Sequence, residues 1–358
     1  CLVNFPALPE AVVLPSESTM PFNPFTVFIF IATSLALIQL GSSGVIREDT
    51  ADNPSPHWAF QRIERPTILP AESGNPIDVM LTSKWPARGL SAVGAADDDV
   101  LLRRLFLDLT GLPPSPRDRR EFLDASSPDR VTKVIQKLLA SPRYSEHWAR
   151  HWMDIWRYTD WYGLDAQLRY SQKHIWHWRD WIVESIAEDK GYDRMVLEML
   201  AADELEPGNL DVERATGFLA RNYFLFNRTT WLDGTIEHTS KAFLGLTVNC
   251  AKCHDHKYDP ITQKDYYRMR AIFEPHQVRL DAYPGELDFE RNGIAKAFDD
   301  HPDAPTYLHI RGNEATPDTS EIIAPNIPKC WAHWRSLPWR CQQMHGRQEH
   351  VKMCSGHN

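Results

Sequence analysis

The sequence predicts a mainly α protein: a multi-helix domain with Trp-rich helices and a C-x-x-C-H loop between two of them. Three observations carry this. Apolar residues recur at helical spacing through most of residues 97–273, Ser-Pro pairs stand before successive segments, and no strand-type alternation is sustained before residue 280. The 13 Trp and 26 Pro suit helices packed through large aromatics and joined by Pro-marked turns.

The 358 residues allow two ordinary domains, or one large domain with appendages. Hydrophobic content of 42% and charged content of 24% are those of a globular chain. A formal net charge of −9 argues against a nucleic-acid binder, which needs a basic face.

Residues 26–40, TVFIFIATSLALIQL, form an uncharged apolar run followed by GSSG. The run is short for a membrane span and suits a signal-peptide core, so export to the periplasm or cell envelope is expected. No Lys or Arg precedes Arg47, so the usual positive n-region is missing. An uncleaved anchor and a buried core helix are the rival readings. Met20 reads as a start, making residues 1–48 an upstream stretch plus a signal peptide or anchor. Residues 49–76 are polar and Pro-rich and read as a linker.

The helical domain is placed over 77–280. DDDVLLRRLFLDLTGLPP carries Leu101, Leu102, Leu105 and Leu109 at helical spacing, stopped by Gly111 and Pro113. Ser115-Pro116, Ser127-Pro128 and Ser141-Pro142 each precede a helical pattern, with Ser as N-cap and Pro at the first helical position. The third helix offers an apolar stripe of Trp148, Trp152, Ile155 and Trp156. Beside it runs a polar stripe of His147, His151, Asp154 and Tyr158. His147 and His151, one turn apart, have a metal-ligand spacing, but a hydrogen-bonded or solvated polar face beside a buried aromatic seam explains them better. KHIWHWRDWIVESIAED puts Trp178, Trp181, Ile182 and Ser185 on one side, with His174 and His177 as polar counterparts. GYDRMVLEMLAADEL, ATGFLARNYF and TIEHTSKAFLGLTV also read as helices. Thr262 with Asp265 resembles a capping box, opening a helix whose apolar face is Tyr266, Met269, Ile272 and Phe273. A short β segment is expected after residue 280, at APTYLHIRG.

Between the last two helices lies NCAKCHDHKYDP. C-x-x-C-H is the attachment pattern of c-type haem: Cys250 and Cys253 would form thioethers, and His254 would be the proximal iron ligand. With 6 Cys and 15 His, chance gives on the order of 0.004 such matches. Zinc is the rival cofactor, drawing on Cys250, Cys253, His254 and His256, although structural zinc sites usually join two separated pairs. A Cys250–Cys253 disulfide is the third reading. His256 follows His254 by two residues, about 7 Å of chain at most, too short to reach the opposite face of a porphyrin. A distal ligand would come from elsewhere, with His151 the first candidate and His147, His174, His177, His238, His276 or a Met behind it. Asp255, His256 and Asp259 are secondary candidates, as acid, base or ligand, or as Asp side chains bracing a turn.

The stretches HWAFQRIERP, NPID, LLRRLFLDLTGLPPSP, SPRYSEHWARHWMDIWRY, ATGFLARNYF, AFLGLTVNCAKCHDHKYDPITQKDYYRM and TYLHIRGNE resemble the domain of unknown function 1549. That family belongs to the planctomycetal cytochrome-linked exported proteins. The resemblance covers roughly residues 55–280. Residues 281–329 look like the start of its partner, the domain of unknown function 1553. The resemblance implies an exported, mainly helical protein, often preceded by a cytochrome-c domain and set beside degradation of polysaccharide or sulfated substrates. It implies no established reaction. Carried over by motif, Cys250, Cys253, His254, Asp255, His256 and Asp259 form the family's loop, and His151 lies in its Arg-His-Trp stretch. No additional cytochrome domain is read ahead of the match. Residues 330–358 have no periodicity and read as an aberrant tail.

The leading expectation is therefore an exported haem-c protein transferring electrons with a redox partner or cytochrome domain. Its rivals are a zinc-dependent enzyme on extracellular polysaccharide and a non-catalytic scaffold stapled at Cys250–Cys253. Membrane contact is expected only through an uncleaved N-terminal anchor.

Overall fold

Short polar side chains start several helices of this chain. In the computed structural model, which describes residues 58–61, 64, 75–160, 173–289 and 291–330, Asn75 accepts a backbone N–H to open α1 (Pro76–Thr82). Asp97 precedes α2 (Asp98–Thr110), which ends at Gly111 in the left-handed region. Ser115 builds a full capping box with Asp118 at the head of α3 (Pro116–Leu123). Ser141 caps α5 (Pro142–Trp156). The expected leader or anchor over 1–48, most of the linker and the tail from 331 lie outside the described residues.

Ser127-Pro128 departs from the expected pattern. Helix α4 (Arg130–Leu139) starts two residues later with Asp129 at its N-cap. Ser127 Oγ instead accepts the Asp129 N–H at 3.3 Å. A local turn thus competes with helix capping for the same hydroxyl.

Helices α2, α3 and α4 enclose a small core of Leu102, Phe106, Phe122 and Leu138, with Leu105 and Leu109 packed against it. The larger core lies beyond it. Helix α5 packs on α6 (Trp176–Ala187), and α7 (Tyr192–Leu205) packs on the 3-10 turn Arg214–Thr216. Two short helices, α8 (Leu210–Glu213) and α9 (Gly217–Ala220), flank that turn. Helix α10 (Arg228–Thr239) continues into a π-helical turn at Ser240–Leu244, and α11 (Gln263–Phe273) crosses α10. No helix among the described residues is long and apolar enough to cross a membrane.

The buried stripes differ from the expected ones in three helices. On α5 the buried residues are Ser145, Ala149 and Trp156, while Trp148 and Ile155 are exposed. Packing against both α2 and α6 buries the side carrying Ser145 and Ala149 rather than the full stripe of greatest hydrophobicity. On α6, Trp178, Trp181, Ile182 and Ser185 are buried as expected, but His177 is buried with them. Its Nε2 lies 2.7 Å from Asn292 Oδ1, so the polar atom is satisfied inside. On α11, Ile272 is exposed while Asp265, Tyr267 and Arg270 are buried. Ion pairs permit that burial: Arg268 reaches Asp265 at 2.7 Å, and Arg270 reaches Glu274 at 2.9 Å.

The β structure is longer and earlier than expected. Strands β1 (His276–Asp281) and β2 (Ile294–Asp299) pair antiparallel, with Val278 opposite Ala297 and Leu280 opposite Ala295. β2 shows no alternation because Ile294, Ala295, Lys296 and Ala297 are all buried. The Lys296 ammonium is paired with Glu213 at 2.6 Å and Asp281 at 2.9 Å. At the expected position, β3 (Leu308–His309) is two residues long and pairs with β4 (Pro317–Asp318). Ala295, Ala297 and Ile323 share one core with Ala149 and Trp178.

Gly111 brings the end of α2 close against α5. Its φ is 69°, and a Cβ there would lie 2.5 Å from Nδ1 of His147 on α5. Gly111→Ala is expected to cost roughly 1–3 kcal/mol. The check is a lower urea midpoint at unchanged slope, with Gly94→Ala, which meets nothing within 4 Å, as the unaffected control.

Candidate functional site

The segment after the π turn is fastened from inside at every second or third residue. Leu246, Val248 and Ala251 are buried. Asn249–Lys252, which follow Val248 and include Ala251, form one 3-10 turn. The Cys253 N–H donates to the Cys250 carbonyl at 3.2 Å. In such a turn residues three apart lie one above the other. With Ala251 held inward, Cys250 and Cys253 therefore share the outer side, and both are exposed free thiols.

Lys252 anchors the turn. Its ammonium pairs with Asp233 Oδ2 at 2.6 Å. Its carbonyl accepts Gln263 Nε2 at 2.9 Å and the Tyr267 hydroxyl at 3.2 Å. Asp233 Oδ1 takes the Tyr266 hydroxyl at 2.6 Å. Burial, reinforced by Asp233, pushes the Tyr266 phenol far up; burial pushes Tyr267 up to about 12. Both phenols therefore remain protonated donors. Beneath them, the His309 ring lies 5.2 Å from Tyr267, and burial followed by Arg270 lowers its pKa.

The loop that follows assigns different work to its two histidines. His254 is exposed, with Nδ1 2.8 Å from the Asp255 carbonyl. A carbonyl only accepts, so Nδ1 carries the proton and the neutral ring has its lone pair at Nε2. That is the orientation a metal-ligating histidine usually takes. His256 has a buried side chain, and its Nδ1 accepts the Asp259 N–H at 2.9 Å. The backbone N–H of His256 donates to the Ile261 carbonyl at 2.9 Å, so the loop closes on itself at this residue. Asp255 Oδ1 accepts the Gln263 N–H at 2.7 Å, at the first position of α11. Asp255 and His256 thus brace the loop with their side chains, and Asp259 takes part through its backbone N–H.

Residues Ile310–Gly312 close over one cysteine. Gly312 has a φ of 75°, and a Cβ on it would lie 2.5 Å from Cys253 Sγ. Gln263 Nε2 also reaches the His309 carbonyl at 3.1 Å, tying this segment to the Lys252 carbonyl.

The distal candidates have other surroundings. His151 is exposed on α5, with ring contacts to His147 at 4.9 Å and Trp148 at 5.6 Å. His174 Nε2 meets the Phe289 carbonyl at 2.7 Å. His276 is buried, 3.4 Å from Asp299. His238 meets Arg157 at 3.2 Å. Among the described residues no three His, Cys, Asp or Glu side chains converge as a metal ion requires, so the zinc set of Cys250, Cys253, His254 and His256 is not assembled. The sequence reading missed Asp233, Gln263, Tyr267 and Gly312, whose roles arise from contacts of eleven or more positions' separation.

A family model described as "Protein of unknown function (DUF1549)" matches residues 76–278. No curated protein and no solved structure matches the chain.

Asp233→Ala leaves Lys252 and the Tyr266 hydroxyl without their acceptor; a loss of roughly 2–3 kcal/mol is expected from urea titration. Asp265 supplies a pH test. Burial alone would raise its carboxyl, but the Thr262 hydroxyl and N–H, together with Arg268, hold it below the ordinary value. A depressed folded-state pKa gives stability that is present above the ordinary carboxylate value and lost as pH falls below it. The fall in urea midpoint below about pH 4 should be shallower in Asp265→Asn than in the parent chain.

Proposed function

This chain belongs to the DUF1549 family of proteins of unknown function, and from that premise we propose that it is an exported haem-c protein transferring electrons in the cell envelope. One observation carries the reading: two free, exposed thiols share one side of a single 3-10 turn, directly before a histidine whose Nδ1 donates to a backbone carbonyl. Export is supported by the apolar run at 26–40. The setting of polysaccharide degradation and the redox partner protein or cytochrome domain belong to the same proposal.

The residues present fit the group. Cys250 and Cys253 would hold it by thioether bonds, and His254 would ligate through Nε2. Bound there, haem supplies a one-electron iron couple. The protein's own contribution is mechanical and electrostatic. Ala251 and the Lys252–Asp233 pair keep the turn from moving as charge changes beside it. The His254–Asp255 contact keeps the ring in the ligating tautomer. His151 is the distal candidate to be tested.

The decisive experiment is a pyridine haemochrome spectrum on denatured protein matured by a c-type haem apparatus. A c-type α-band that stays with the polypeptide is expected, lost in the Cys250→Ser, Cys253→Ser double variant. His254→Ala should retain covalent haem but change the native Soret spectrum. No α-band, with maturation verified on a control cytochrome, overturns the proposal. A native spectrum unchanged in His151→Ala removes that residue as distal ligand.

A further inference from the structure

Helices α2, α3 and α4 leave a hollow beside their small core. Phe106, Phe122, Ala125 and Val134 supply its apolar lining, and it holds about 210 Å³. A cavity of about 150 Å³ walled by apolar side chains already takes up benzene, so this one has room for a single ring with a substituent. Phe106 and Phe122 are buried and make the floor, while Ser127 and Arg130 are half-buried and Lys133 is exposed at the mouth.

The charges around the hollow are unevenly matched. One Asp118 oxygen takes the Ser115 hydroxyl and N–H, and the other takes Lys137 at 2.8 Å. Lys137 first, then Ser115, hold that carboxyl below the ordinary carboxylate value. Glu121 receives Arg117 at 2.6 Å. Arg130 pairs with Asp98 at 2.7 Å and lies over the Phe122 ring, 4.9 Å from its centroid. Lys133 differs. Among the described residues no carboxylate pairs with it, and its ammonium stands 3.5 Å from Ser127 Oγ. Ser127 is the serine whose hydroxyl does not cap a helix. Its oxygen accepts the Asp129 N–H and faces the Lys133 ammonium, so its own O–H is left to donate. Two donors, an ammonium and a hydroxyl, thus stand side by side in the wall of an apolar hollow.

We propose that this hollow is a binding site for a small apolar carboxylate, an acid carried on a single aromatic ring. The ring packs on Phe106, Phe122 and Val134, and the carboxylate accepts from Lys133 and Ser127 beside the charge of Arg130. A charge-assisted hydrogen bond next to an apolar wall is stronger than the same bond in open water. An apolar lining with a few convergent polar groups is the usual build of a small-molecule site. A neutral ring gains the floor but leaves Lys133 without a counter-ion; a bare anion gains Lys133 but not the floor. None of these residues belongs to the cysteine turn, and the site does not rest on the haem reading.

The test is a saturation-transfer NMR titration of the full chain with sodium benzoate at fixed ionic strength. Benzamide, its neutral counterpart, and sodium acetate, which lacks the ring, are titrated alongside. Benzoate should saturate with a Kd on the order of 1 mM, and the other two should bind roughly tenfold more weakly. Lys133→Gln should weaken benzoate roughly tenfold while leaving benzamide unchanged, and Lys133→Arg should restore the affinity. Ala125→Leu fills the hollow and should abolish benzoate binding, with the urea midpoint as the check that the fold is intact. Lys133 is exposed, so its variants decide the matter even where Ala125→Leu unfolds. No saturable benzoate signal overturns the site, as does benzoate binding unchanged in Lys133→Gln. Benzamide bound as tightly as benzoate overturns the assignment of an anion.

Discussion

The Asp233 carboxylate on α10 receives the Lys252 ammonium at one oxygen and the Tyr266 hydroxyl at the other. Arg270 stands 3.8 Å away. One side chain thereby connects α10, α11 and the turn between the cysteines. Without it the Lys252 ammonium and a buried phenol would be left with no acceptor, a cost that burial magnifies. The turn has few apolar anchors of its own, Val248 and Ala251 chief among them, so this polar contact decides where the thiols and His254 stand.

The aromatic core behind it explains why the platform is stiff. Trp156, Trp178, Trp181 and Trp231 are all essentially without exposed surface. Large indoles fill volume with few rotamers, but each brings an N–H into the interior. Trp231 donates to the Leu219 carbonyl at 3.2 Å, and Trp181 donates to Glu198 at 3.1 Å. Glu198 stays ionised inside because Lys190 and Arg194 outweigh the burial that would raise it. Shape matters as much: a Cβ on Gly217 would lie 2.5 Å from the Trp178 Cβ, so the α6–α9 approach needs a residue without one.

Much of the helical framework was legible. The cap at Ser115, the box at Thr262, the stop at Gly111 and the buried side of α6 all follow from local chemistry within four residues. The stripe on α5 was misread because Trp148 and Ile155 are the more hydrophobic choice, whereas packing against two helices selected Ala149 and Ser145. The β1–β2 hairpin was missed because Lys296 hides inside it, neutralised by Glu213 from 83 positions away. The C-x-x-C-H pattern was visible, as were both neighbouring Asp residues. The Asp255 side chain holds the first N–H of α11, one of the readings open in the sequence.

Sequence by itself determined a mainly helical chain with a rare cysteine–histidine turn between its last two long helices. Those features depend on spacing along the chain: helical periodicity, capping and the three-residue repeat of a 3-10 turn. Tertiary structure alone decided what anchors the turn between the cysteines, Asp233 on the Lys252 ammonium and Gln263 and Tyr267 on its carbonyl. It also decided that Gly312 closes over Cys253, and that Arg157 meets His238. Hydrogen-bond partners and charges brought together across 46 to 81 positions carry no periodic trace, because the chain between them sets only their reach.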